Sequence, residues 1–272
     1  MQEILEDFKS ESIRNLISTG RRPDGRAFEE VRPISFETGV ISTAEGSCLI
    51  HLGDTQILVA VKTATGEPYA DSPDMGVLIT SAELVPTAAP EVESGPPTAN
   101  EKYVEIARVV DRTIRESEMI DMQKLSVEPG KLVRILFLDI HILDDGGNLI
   151  DGATMAGVLA LRSAKVKKIA YEDGKVTVLD EEEPLPVKGF PLACSIAKFG
   201  NALLVDPTYE EEIAMDSKIV FGIDEEEHIR AMQKSGPGPW QREQIEQAME
   251  LAQKTVKDLR KRLTEGETHE ED

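Results

Sequence analysis

Apolar residues recur at mostly helical spacing near the start of the chain, at Ile4, Leu5, Phe8, Ile13, Leu16 and Ile17, and Gly20 supplies a stop. This predicts an amphipathic leading helix over residues 3 to 18. From Ile34 to Lys62 the pattern changes to short β-rich runs cut by Gly39, Gly46 and Gly53, with LGDTQILVAVK giving a turn and a strand, so an antiparallel sheet is expected. Pro86, Pro90, Pro96 and Pro97 make residues 86 to 100 an irregular connection. A helix over Glu101 to Glu116 follows, then the strand LVRILFLDIHIL, a glycine turn at DDGGN and an alanine-rich apolar helix from Asp151 to Lys165. A second strand-rich portion spans 167 to 222, and a long helix from about Pro239 to Leu263 closes the pattern. Sheet followed by buried helix is the signature of α+β layering.

Composition narrows the functional classes. A chain of 272 residues buries a substantial core unaided. Cys48 and Cys194 sit in apolar surroundings and form no disulfide framework, which suits a reducing cytoplasm. The first residues mix acids and bases without an apolar core, and no stretch reaches the roughly 18 apolar residues of a membrane span, so a soluble, cytoplasmic protein is expected. The net charge of −21 excludes a surface that binds nucleic acid wholesale, because phosphate-driven binding needs clustered Lys and Arg. The acids concentrate in DEEEP, YEEE, DEEE and EGETHEED, read as solvated faces and a disordered tail over 265 to 272 behind a helical extension (1 to 20) and one main domain (21 to 264). No G-x-S-x-G elbow, Walker A loop or paired Cys-x-x-Cys is present, which removes hydrolase, NTPase and zinc-module readings.

One pattern stands out against that acidity. Arg108, Arg112 and Arg115 fall at i, i+4 and i+7 of the Glu101 helix, within about 60° of arc, while Ile106, Val110 and Ile114 lie opposite. Three guanidinium forks on one face suit a phosphate backbone without reading sequence. On spacing alone, ion pairs with Asp111, Glu105, Glu116 or acids elsewhere are the commoner outcome for such a charged helix face. With one Trp and four Tyr in the chain, base stacking should be secondary to backbone contact. Asp139, His141, Asp144 and Asp145 have the chemistry of a metal cluster, but strand alternation puts only the first two on one face, and no metal or other cofactor is expected.

RRPDGR, then RPISFETG, an EGS turn, HLGDTQILVAVK and EIARVVDRTIR come in an order that resembles RNase PH-type phosphorolytic exoribonucleases, over roughly residues 21 to 260. The resemblance implies an α+β RNase PH-like fold of two β-α-β-α-like halves, akin to ribosomal protein S5 domain 2. Within the family, the leading helix, SAELVPTAAP, GPPTANEKYVEIARVVDR and LDDGGNLIDGATMAGVLAL are most similar to the non-catalytic ring subunit of the archaeal exosome. That likeness implies a hexameric ring, a trimer of heterodimers with the catalytic RNase PH-like subunit, together with RNA-binding cap subunits and single-stranded RNA degraded 3′ to 5′ by phosphate. It assigns Arg108 and Arg112 to the RNA backbone, and Arg115 with less support.

The departures from the family bear on catalysis. Active members resemble one another in a D-G-G-[ST]-R turn whose hydroxyl and guanidinium bind phosphate; here Asn148 and Leu149 occupy those two positions. Leucine offers neither charge nor donor, and losing such electrostatic positioning typically costs several kcal/mol of barrier. Active members also resemble one another in Y-x-E-D-S with a second Asp six residues on; here Glu212 replaces the first Asp and Asp216 arrives about two residues early. The expectation is a non-enzymatic subunit that completes a neighbour's site. A self-sufficient exoribonuclease and a purely structural ring member without RNA contact are the alternatives.

Overall fold

A computed structural model describes residues 2–84, 101–172 and 174–270. The proline-rich connection expected over 86 to 100 lies outside the described residues. Helix α1 (Gln2–Ser18) leads into a six-stranded sheet of β1 (Ile34–Thr38), β2 (Gly46–Leu52), β3 (Thr55–Gly66), β4 (Val77–Leu84), β5 (Ser126–Glu128) and β6 (Leu132–Asp144). Its order is β1-β2-β3-β6-β4, with β5 also pairing β6; β4 runs parallel to β6 and the other pairs are antiparallel. Helix α2 (Glu101–Glu116) lies between β4 and β5 in the chain, and α3 (Leu149–Ser163) follows β6. The ribbon β7 (Lys165–Glu172) and β8 (Lys175–Pro184) comes next. A second antiparallel sheet orders β9 (Leu192–Phe199), β10 (Ala202–Val205), β11 (Ser217–Ile223) and β12 (Ile229–Ser235) as β10-β9-β11-β12. Helix α4 (Tyr209–Ala214) links β10 to β11, and α5 (Arg242–Glu270) ends the described chain.

The sequence pattern explains these elements. Alternation along β6 puts Leu136, Leu138, Ile140 and Ile142 into the core and Asp139 and His141 on the less buried face, as a period of two requires. Helix α3 is apolar around most of its circumference and its first thirteen residues are all buried, because it packs against β2 and β3 of one sheet and β9 of the other. Small residues permit that approach: a Cβ on Gly46 would lie 2.3 Å from the Ala160 carbonyl oxygen. Every residue of β9 is buried, as befits a strand against which both α3 and α5 pack.

Two expectations shift. Helix α3 begins at Leu149 rather than Asp151, so Leu149 is helical and not part of the turn. Of the disordered tail expected over 265 to 272, the part up to Glu270 instead continues α5, and residues 271 and 272 lie outside the described residues. Glu267 accepts two hydrogen bonds from Arg162 at 3.0 and 3.1 Å, Lys261 and Glu265 form an i,i+4 pair, and Gly266 sits against the Phe36 ring. Composition signalled solubility there, but these partners from elsewhere in the fold extend the helix.

Candidate nucleic-acid interface

Helix α2 buries Tyr103, Ile106, Val109, Val110, Thr113 and Ile114 against β4, α3 and β12. Its polar face therefore points outward, and Arg108, Arg112 and Arg115 are all exposed. They do not share one environment. Arg115 donates to the Asp111 carboxylate, which also accepts from the Thr80 hydroxyl at 3.4 Å. Burial pushes the Asp111 carboxyl above its ordinary value, more than Arg115 and Thr80 draw it down. Glu105 accepts from the Ser235 hydroxyl. Among the described residues, no carboxylate lies within the 4.0 Å of an ion pair with Arg108 or Arg112. Both face a groove of about 600 Å³ between α2 and β12, where Lys234 adds a third positive charge and Glu101 and Glu105 add two negative ones. The ion-pair reading thus holds for Arg115, while Arg108 and Arg112 make no ion pair within that distance among the described residues, Arg112 acting on Asp111 only through its charge.

The second region is the turn from β6 into α3. Gly147 has φ +91°, and a Cβ there would lie 2.2 Å from the Tyr209 nitrogen, so only glycine fits. Asn148 is left-handed (φ 57°) and its amide donates to Asp151 at 2.9 Å and to Asp206 at 2.7 Å. From below, Arg32 grips Asp206 with two donors (2.9 and 2.7 Å) and reaches the carbonyls of Gly146 and Gly147 at 2.8 and 3.2 Å. Burial acts to raise the Asp206 carboxyl, but hydrogen bonding and charge from Arg32 outweigh it and hold the group below its ordinary value. Asp151, 3% exposed, accepts from the Ser195 amide and hydroxyl, both at 2.8 Å. Its burial dominates those bonds and pushes its carboxyl up to about 6.

Leu149 is buried and lines a cleft of about 360 Å³ with Lys102, Tyr209, Glu212 and Lys218. The charged groups of this cleft neutralise one another. Glu212 and Lys218 pair at 2.6 Å with little exposure, and Lys102 pairs with Asp145 at 2.7 Å. Burial acts to lower the Lys218 ammonium, but the Glu212 charge and hydrogen bond raise it overall. Asp216 does not join Glu212: it accepts from Arg14 of α1 and from the Gly200 amide, both at 2.6 Å. Those donors offset its burial and hold it below the usual carboxylate range. Two carboxylates line the cleft, Glu212 tied to Lys218 and Glu105 bonded to the Ser235 hydroxyl, and no arginine lines it among the described residues. Asp139 accepts from Ser81 at 2.8 Å and His141 stands 4.0 Å from Glu83, so both belong to the β4 face.

Sequence reasoning missed the arginines that brace this region. Arg22 makes a fork to Glu211 at 2.9 and 2.6 Å with both side chains at 0% exposure, and Arg26 joins Asp206 at 2.9 Å. One local signal was readable, since Thr208-x-x-Glu211 is a capping box and forms as one at the start of α4.

Similarity to known proteins agrees with this geometry. Residues 30–167 match domain 1 of the 3′ exoribonuclease family, RNase PH, and residues 189–255 match its domain 2. The chain is 48% identical over 266 residues to the exosome complex component Rrp42 of Pyrococcus abyssi, covering 97% of this chain and 96% of that one. It is 47% identical over 258 residues to Rrp42 of Methanothermobacter thermautotrophicus, covering 94% of each. Among solved structures it is similar to a chain of the Archaeoglobus fulgidus exosome with RNA bound to the active site, with a TM-score of 0.87, 41% identity, and coverage of 95% of this chain and 99% of that one. An archaeal exosome core chain gives a TM-score of 0.85 at 39% identity, over 97% of this chain and 100% of its own length. With both domains matched in order, the α+β layers in place and near full-length relatives, the chain belongs to the RNase PH, or 3′ exoribonuclease, family.

Proposed function

We propose that this chain is a non-catalytic ring subunit of an archaeal exosome, which grips RNA for a catalytic RNase PH-like neighbour in a trimer of heterodimers. The observation that carries the reading is a contrast within one molecule. Arg108 and Arg112 stand exposed beside a groove and make no ion pair among the described residues, although Glu101 and Glu105 also line that groove, while the position of a phosphate-binding arginine is the buried Leu149. An exposed pair of guanidinium groups holds phosphodiesters in place without choosing sequence. A leucine beside a neutralised Glu212–Lys218 pair cannot hold inorganic phosphate in line for attack. Arg115, paired with Asp111, is at most a secondary contact. Cap subunits would complete the path of single-stranded RNA, and no helix among the described residues is long and apolar enough to cross a membrane.

The test is release of nucleoside diphosphates from single-stranded RNA with phosphate, by this chain alone, by its catalytic partner alone and by the mixture. The expected result is silence alone, strong activity in the mixture and a drop of tenfold or more with Arg108→Ala and Arg112→Ala together, near the 1.4 kcal/mol per decade of two weakened phosphate contacts. Activity from this chain alone would make it a self-sufficient exoribonuclease. A mutant mixture with unchanged activity would make it structural only.

A further inference from the structure

Beside the C-terminal end of α2 lies a pocket of about 390 Å³ that the reading above does not use. Its floor is apolar, with Val77, Leu78 and Ile120 buried, and its rim carries Tyr69 at 59% exposure and Met75 at 37%. The loop that presents Tyr69 is fastened at several points. Ser72 N donates to the Tyr69 carbonyl at 3.1 Å, Gly76 N to the Met122 carbonyl at 2.8 Å and Gly130 N to the Pro73 carbonyl at 2.7 Å. An aromatic ring that is both exposed and held on an ordered loop is a preformed platform rather than a stray surface residue.

The charges around the pocket decide what it fits. Arg115 and Lys188 face Glu118 and Asp121 across it, and Arg115 is already bound by Asp111. The mouth is therefore close to neutral, and it suits a flat, uncharged ring better than a phosphate. The two sites lie along one helix: Arg115 lines this pocket and stands seven residues along the same helix face from Arg108, about 10 Å at 1.5 Å per residue. A strand whose backbone lies on Arg108 and Arg112 and follows this face of α2 arrives at Arg115, at the edge of the pocket that Tyr69 also lines.

We propose that this pocket is a stacking site for one unpaired nucleobase of single-stranded RNA, with the Tyr69 ring as its platform. The inference rests on the RNA reading of Arg108 and Arg112 and deepens it, because it adds a base contact to a surface otherwise limited to backbone. Every base has a π-face, so the site adds affinity without sequence choice. Gln123, at the rim, offers an amide to a base edge.

The experiment uses the ring reconstituted with its catalytic subunit and measures the Kd of a fluorescent single-stranded oligonucleotide at several salt concentrations. Four rings are compared: unmodified, Tyr69→Ala, Tyr69→Trp, and Arg108→Ala with Arg112→Ala. The expected result is that Tyr69→Ala weakens binding about five- to a hundredfold with an unchanged salt slope, and that Tyr69→Trp binds as the unmodified ring. A 4-thiouridine oligonucleotide should also crosslink to the peptide containing Tyr69. Unchanged binding by Tyr69→Ala, with loss in the arginine variant, overturns the stacking site and leaves the arginine reading standing. No change in either variant overturns both. A Tyr69→Ala ring that falls apart on gel filtration, or a Tyr69→Trp ring that binds as poorly as Tyr69→Ala, assigns the pocket to a subunit contact and overturns the proposal.

Discussion

At the scale of single residues, buried charges set the sharpest expectations. Arg22 and Glu211 are both at 0% exposure, so Arg22→Met leaves a carboxylate buried without its partner, which typically costs about 3–5 kcal/mol. Urea denaturation should show that loss, and adding Glu211→Gln should recover part of it. Asp151 gives a pH dependence with a definite sign. Its folded pKa of about 6 lies above the ordinary 3.8, so between those values the folded chain binds a proton that the unfolded chain has released. The contribution is fully present below about 3.8 and is lost as pH rises through about 6, by up to about 3 kcal/mol. Asp206 has the opposite sign, since its depressed carboxyl favours the folded state above the ordinary range and loses that contribution in acid. Melting temperatures from pH 4 to 7 should fall more steeply for the native chain than for Asp151→Asn; parallel curves would show that Asp151 does not titrate there.

At the scale of elements, legibility followed the range of the interactions. Helix α2 could be placed to the residue, because its apolar and charged faces contrast within a few turns. The β6 strand and the two-residue turn at Gly53 and Asp54 were equally local. What escaped was set by distant partners. Arg22 meets Glu211 across 189 residues and Arg32 meets Asp206 across 174, separations that no periodicity encodes. The end of α5 was misread for the same reason, since EGETHEED is acidic and soluble by composition, yet Arg162 and Phe36 are its neighbours in space. Deleting residues 265 to 272 should therefore lower stability by about 0.5–1 kcal/mol through the lost Arg162 pair and helical turn. A free tail would cost nothing, and a thermal melt distinguishes the two.

At the scale of the whole molecule, charge and site form one problem. A chain of net charge −21 repels RNA except where cations outnumber acids locally, and the α2–β12 groove, with Arg108, Arg112 and Lys234 against Glu101 and Glu105, is such a place by a narrow margin. Two backbone contacts on single-stranded RNA correspond to a salt slope of about −1.4, so Arg108→Ala with Arg112→Ala should flatten log K against log salt by about that much for each copy engaged. The departures at Asn148, Leu149 and Glu212 were visible as letters, but not their outcome: the first is wired into a buried network, the second fills the cleft and the third is held by Lys218.

That network also dictates when the chain can finish folding. The turn at Gly146, Gly147 and Asn148 is clasped by Arg32 from one end of the sequence and by Asp206 and Tyr209 from the other. A nascent chain emerges N-terminus first, and interactions of such long separation form slowly. Until Asp206 and Glu211 have been synthesised, Arg32 and Arg22, in the segment that leads into β1, lack the carboxylates they meet in the folded chain. Synthesis of the second half is therefore the event that closes the first.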